Sequence, residues 1–332
     1  MRRTPLLILL AFLLLPSALA HVGYVATPEE MAANAGADWA FLLTPLQDSI
    51  YLALIIGTAI AIPLLVWLAR KLTFTQRLRD HIKAHAVRYD ALIPWMLRLS
   101  LGIMLIGAGV HQSLILPSVP AAGWLGTFEI LLGFLLLAGL LTGFAAFGTI
   151  ALYAYALVQD WYVIGNLDVL AIGIAILVLG NALPGIDDLF GFELFPRWHG
   201  LRTYAPTILR IGIGIAFSFL AVYEKLLNPH LSAVVVEKFA LNTIIPVSVP
   251  MWVLAAGLVE LAVGLAILLG LMTRLSVAVA FIVLSLSFFF FGEDVASHIT
   301  IFGTLSVLFV TGGGPWSIDS WWADRTKKAA SS

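Results

Sequence analysis

The chain has 332 residues, of which 61% are hydrophobic and 11% charged, and its net charge is −1. A soluble domain carries about 25% charged residues, so the composition argues against an ordinary globular enzyme and for a helical membrane protein. Cysteine is absent. That excludes disulfides, thiolate metal sites, cysteine-ligated iron–sulfur clusters and a cysteine nucleophile. No Gly-rich phosphate loop or basic aromatic surface is present, and no nucleic-acid partner is expected.

Residues 1–20, MRRTPLLILLAFLLLPSALA, combine a basic start, a short apolar run and a small-residue ending. This is a signal-peptide pattern, and cleavage before His21 is expected. The mature N-terminus is then external, and 21–49 form a short external segment. His21 as first residue offers an α-amino group and an imidazole, a nitrogen pair that suits copper. The plainer reading is a cleavage site that happens to leave a His.

Ile50 to Ala69 is the first expected span, and 50–91 comprise it with a basic loop carrying Arg70, Lys71, Arg77, Arg79, Lys83 and Arg88. Such a loop belongs in the cytoplasm by the positive-inside rule. Eight further apolar runs follow in two sets of four. The first set is Ile93–Leu116, Trp124–Leu141, Phe144–Val158 and Asp168–Ala182. The second is Ile208–Leu227, Met251–Leu271, Leu275–Phe291 and His298–Thr311. The sets correspond to 92–190 and 207–320, with a cytoplasmic linker at 191–206 and a tail at 321–332. The expected fold is an all-α polytopic protein of the plasma membrane. It has nine transmembrane helices, an external N-terminus and a cytoplasmic C-terminus, and it contacts lipid throughout.

The two sets resemble each other. LRLSLGIMLIGAGVHQSL from Leu97 aligns without a gap on LRIGIGIAFSFLAVYEKL from Leu209. Arg98 meets Arg210, Gln112 meets Glu224, and Ser113 meets Lys225. In the second helix of each set a glutamate, Glu129 or Glu260, is followed by Gly four residues on (Gly133, Gly264) and ten on (Gly139, Gly270), and by Thr thirteen on (Thr142, Thr273). DVLAIG from Asp168 aligns on HITIFG from His298, and PGID from Pro184 on PWSID from Pro315. Four spans per set is an even number, so the expected repeat is parallel, about an axis along the membrane normal.

A carboxylate within an apolar span costs roughly 2.5–3.5 kcal/mol on the insertion scale. Glu260 and Glu129 are therefore the first candidates for function. In the second set Glu260, His298 and Glu224 are expected to converge and to relay protons, hold a quinone carbonyl or share a cation. They are the candidate catalytic residues. Glu129, Asp168 and Lys225 are the candidate cofactor contacts, although Lys225 also reads as an interface anchor. The alternative is structural, with protonated Glu side chains that fix helix packing. Arg98 and Arg210 are expected to snorkel to the headgroups. His111 and His230 have no assigned role, and the Phe288–Phe291 run reads as lipid-facing surface.

The LRIGIGIAFSFLAVYEKL opening, the WVLAAGLVELAVGLAILLGLMTR helix and the GGGPWSID ending resemble the DoxX family, a family of four-helix membrane proteins. The first set resembles a more diverged DoxX unit. The resemblance implies a duplicated DoxX-like protein with one added N-terminal span. It also implies a subunit of a quinone-linked oxidoreductase, because the family takes its name from membrane subunits of a thiosulfate:quinone oxidoreductase. Such a subunit would couple an external donor, a thiosulfate-like sulfur compound or similar, to membrane quinone, and would work with a membrane or external redox partner. The alternatives are a non-enzymatic scaffold or assembly subunit and a small-molecule or metal transporter.

Overall fold

The computed structural model describes residues 22–180, 185–191, 196–292 and 295–331. The expected signal peptide, its cleavage site and His21 lie outside these residues, as does Pro184. Among these residues are nine apolar helices. They are α1 (Ser49–Lys71), α2 (Ile93–Val110), α3 (Trp124–Ala138), α4 (Thr142–Gln159), α5 (Leu167–Leu179), α6 (Ala205–Leu220), α7 (Val249–Leu269), α8 (Thr273–Phe291) and α9 (Val295–Thr311). Among the described residues, six helices are long and apolar enough to cross a membrane by length and composition, and three shorter apolar helices accompany them. Each labelled helix overlaps one apolar run of the sequence.

Two segments depart from expectation. The run expected to continue as helix to Leu116 stops at Val110, and Ser113–Leu114 pairs antiparallel with Leu116–Pro120. Gln112 and Ile115 take positive φ values of 53° and 62°, and Pro117 and Pro120 bar further helix. At the aligned point of the second set the chain does not turn. α6 instead passes into a π-helical turn, Ala221–Leu227. The following segment forms the helices Pro229–Lys238 and Leu241–Ile244.

The chain packs as two compact units. The first comprises the described residues of Met1–Val87 with Leu220–Leu261 and Val283–Phe291. Its core gathers Leu42, Val236, Leu241, Met251, Trp252 and Val253, all buried. The N-terminal segment is tied to the Pro229–Lys238 helix and the residue before it by polar contacts. Gly36 N–H donates to Asn228 Oδ1 at 2.8 Å, and Lys238 Nζ lies 3.3 Å from Glu30 and donates to Val25 O at 3.0 Å. His230 Nε2 lies 3.0 Å from Asp38 Oδ2, which gives His230 a role that its position in the sequence did not suggest.

The second unit comprises Arg88–Phe219, Ala262–Ile282 and Gly292–Ser332. α2 and α3 cross with their backbones in contact. A Cβ on Gly133 would stand 2.6 Å from Gly102 O, so only glycine fits there. The turn between α3 and α4 is closed by Asp187. Its carboxylate accepts Leu141 N–H at 2.7 Å and Thr142 N–H at 2.8 Å, while its own N–H donates to Gly139 O at 2.8 Å. The turn between α7 and α8 repeats this arrangement. Asp319 accepts Met272 N–H at 2.9 Å, Thr273 N–H at 2.8 Å and the Thr273 hydroxyl at 3.0 Å, and Asp319 N–H donates to Gly270 O at 3.0 Å. Leu141 and Met272 both take left-handed backbone, with φ of 49° and 45°.

The arginines do not snorkel. Arg210 is 2% exposed, and its guanidinium donates to Gly313 O at 2.9 Å, to Trp316 O at 3.3 Å and to Leu268 O. Arg98 is 3% exposed and packs beside Gly139 and Gly185, facing Asp187 and Asp188. Helix-end carbonyls need donors, and a planar five-donor guanidinium supplies several at once. That demand outcompetes the headgroup region for Arg210, while Asp188 and Asp187 supply the charge that keeps Arg98 inside.

Replacing Asp319 by Ala would orphan two backbone N–H groups in the α7–α8 turn, at about 1–3 kcal/mol for each buried unsatisfied group. The expected outcome is a clearly lowered thermal midpoint of the purified protein in detergent, followed by tryptophan fluorescence. Asp187→Ala should act in the same direction at the other turn.

Candidate functional site

The polar residues of the first unit close into one cluster. Glu224 and Lys225 are consecutive in the π-helical turn after α6, and Glu260 stands in α7. Lys225 Nζ lies 2.7 Å from Glu260 Oε2 and 3.3 Å from Glu224 Oε2. The closer contact is an ion pair whose angle is not that of a well-aligned hydrogen bond. The second oxygen of Glu224 accepts the backbone N–H of Val22 at 3.1 Å, and the Ser232 hydroxyl donates to the Glu224 carbonyl at 3.2 Å. The three side chains are 0–2% exposed.

The local sequence explains the placement. A π-turn widens the helix and occurs mostly as a single turn at functional sites. Here Asn228 N–H closes it onto Tyr223 O at 3.0 Å. Gly257, three residues before Glu260, lets α7 approach, since a Cβ there would stand 3.0 Å from Lys225 Cβ. With both acids ionised the cluster holds two negative charges and one positive charge. Burial of a net charge is costly, so the group is suited to holding one further proton or cation.

Lys225 is thus no interface anchor. Two carboxylates in a buried, apolar setting bind its ammonium more strongly than the headgroup region would. The structure brings together Glu260, Glu224 and Lys225. It places His298 in the second unit, on α9, which packs against the α5 helix that carries Asp168.

Glu129, also in the second unit, is fully buried. It accepts Ile115 N–H at 3.3 Å, and its other oxygen has no hydrogen-bond partner among the described residues. The position that holds Lys225 in one set holds Ser113 in the other, and Ser113 donates to Ala108 O at 3.2 Å. Among the described residues no group of three or more His, Asp or Glu is placed to hold a metal ion.

Sequence reasoning missed the Val22 N–H contact and the Asp38–His230 pair. Neither carries a motif, and each joins residues about two hundred positions apart. Beside His230, the Asp38 carboxyl is held below its ordinary range, first by the Phe41 N–H and then by His230.

Apolar helices with a sealed ionic cluster define a helical membrane protein. Residues 205–293 match the DoxX family model. The chain therefore carries a DoxX domain, and that domain contains Glu224, Lys225 and Glu260. No curated protein and no solved structure matches the chain.

Two outcomes follow. Lys225→Met strands two carboxylates and should destabilise the protein by about 3–5 kcal/mol, the usual cost of breaking a buried pair. The triple variant Glu224→Gln/Lys225→Met/Glu260→Gln should recover much of that loss in a detergent melt. At Asp38 the folded-state pKa is depressed, so its contribution is present above the unfolded value of about 3.9 and is lost as pH falls through the folded one. Hydrogen exchange in 22–43 should therefore quicken on acidification below about pH 4, and the response should be weaker in Asp38→Asn.

Proposed function

We propose that this chain is an integral membrane subunit of a redox complex. It would pass reducing equivalents from an external donor, a thiosulfate-like sulfur compound or similar, to membrane quinone. The observation that carries this reading is the buried Glu224–Lys225–Glu260 cluster inside the DoxX domain. Reduction of a quinone to a quinol takes two electrons and two protons. The electrons come from the donor through a partner subunit, because a chain without cysteine holds no cysteine-ligated redox centre. The cluster would hold one proton at a time and deliver the two in succession, taking each up again from the aqueous side.

The donor chemistry suits a quinone. A lysine ammonium has three N–H donors, of which Glu224 accepts one, and such a donor is of the kind that binds a quinone carbonyl. The quinone supplies the two-electron acceptor chemistry. Lys225 would orient its carbonyl, and the carboxylates would carry the proton.

The same reading includes nine crossings, a cleaved signal peptide, an external N-terminus and a plasma-membrane location. It also includes a duplicated four-helix unit, supported by the matching Asp187 and Asp319 turns and by Gly126 and Gly257, which pack against Gln112 and Lys225 respectively. A scaffold role is the second reading. It is favoured by side chains that are only 0–2% exposed and already paired. Copper at His21 belongs with a transporter or metal-handling reading.

Glu260→Gln separates the first two. In native membranes the redox reading expects donor-dependent quinone reduction to fall at least tenfold with the protein still inserted. Undiminished turnover together with a lowered melting point would leave the scaffold reading standing.

A further inference from the structure

α1 leads directly into a basic helix that plays no part in the cluster. α1 has 23 residues and rises about 34 Å, enough for a hydrocarbon core of about 30 Å. Its surface stays apolar to the last turns, where Leu64, Trp67, Leu68 and, just beyond, Leu72 are exposed. Lys71 Nζ lies 4.0 Å from the centroid of the Trp67 ring. An aromatic ring paired with a lysine suits the headgroup boundary, where one side is apolar and the other wet. One extended residue, Leu72 with φ −71° and ψ 125°, then breaks the helix, and Thr73–Ala86 forms a second one. That helix therefore starts at headgroup level.

Its sequence, TFTQRLRDHIKAHA, brings Phe74, Leu78 and Ile82 to every fourth position and so to one face. Arg77 and Lys83 fall outside that face, and both are exposed. From Arg70 to Ala86 the chain carries five basic residues and one acid, Asp80. Neither Arg77 nor Lys83 has an ion-pair partner among the described residues. Positive charge beside a span sets its orientation whether or not the segment is folded. A helix with an apolar face and unpaired cations adds a second property. It is the form that lies in the plane of the interface and attracts anionic lipid.

We propose that the Thr73–Ala86 helix lies along the membrane surface and binds anionic phospholipid headgroups through Arg77 and Lys83, with Lys71 at its edge. A guanidinium meets a phosphate with two parallel N–H groups, and an ammonium meets it as a point charge. A zwitterionic headgroup carries its own cation, which competes with those of the helix, so a headgroup of net negative charge is the better ligand. The occupant is lipid rather than a soluble acidic protein because α1 tethers the helix at the bilayer, where headgroups are present at high effective concentration. The proposal rests on α1 crossing the membrane and not on the quinone reading.

The lack of cysteine makes a direct test possible. Ala84 is exposed, so Ala84→Cys in the full-length chain gives a single thiol for a fluorophore. The labelled protein is reconstituted in vesicles of mixed phosphatidylcholine and phosphatidylglycerol. Trace lipid with a nitroxide high on its acyl chain is added as either phosphatidylglycerol or phosphatidylcholine, at the same fraction. Quenching by the anionic lipid should exceed quenching by the zwitterionic one by roughly threefold or more. The preference should collapse in about 1 M salt, where the screening length is about 3 Å. It should also collapse in Lys71→Gln/Arg77→Gln/Lys83→Gln and persist in Arg77→Lys, with melting midpoints in phosphatidylcholine alone unchanged. Equal quenching by the two lipids in the wild type would overturn the proposal. So would a preference that survives in the triple variant or one that free inorganic phosphate abolishes at constant ionic strength. Quenching by neither lipid would place the helix away from the bilayer, as binding to a soluble acidic partner requires, and would overturn it as well.

Discussion

A lysine ammonium buried among apolar helices needs compensating charge, and the geometry of the DoxX domain depends on meeting that need. Lys225 is 1% exposed and lies between Glu260 at 2.7 Å and Glu224 at 3.3 Å. The π-turn, the glycine at 257 and the close approach of α7 are the local features that make the contact. The second oxygen of Glu224 then takes up Val22 N–H, so the N-terminal segment is bound to the same charge group. A redox role adds one requirement to this arrangement, that the cluster change its proton content without losing its packing.

The aligned elements of the two sets divide into those that match and those that differ. The Asp187 and Asp319 turns make the same three backbone bonds, because each connection must cap a helix start in so little chain. The polar positions differ. Gln112, Ser113 and Glu129 stand where Glu224, Lys225 and Glu260 stand in the other set, and only the latter group contains a cation. Asp168 and His298 differ in the same manner. At Gln112 and Ser113 the backbone differs as well, since the chain turns there and continues as a π-helical turn at Glu224 and Lys225.

Much of the fold was legible in the sequence because apolar length is a strong signal in a membrane protein. The apolar helices of the described residues overlap the apolar runs. Glu260 stood out because an acid in such a run is rare. The rest depended on three-dimensional partners that periodicity does not encode. Arg98 and Arg210 sit at helix ends, where snorkelling and carbonyl binding look alike until the Gly313 and Leu268 carbonyls are in view. Helix α9 packs against α5 and α2, a pairing between helices far apart in the chain that apolar periodicity does not encode. The end of α2 was misjudged because the strand residues that follow are as apolar as the helix.

The most direct test of the central claim is isolation of the protein from its native membranes in mild detergent, with co-purifying proteins and extracted quinone measured in the same preparation. The account predicts a stoichiometric redox partner and bound quinone. A chain that emerges alone, without quinone and without a redox-active companion, would contradict it.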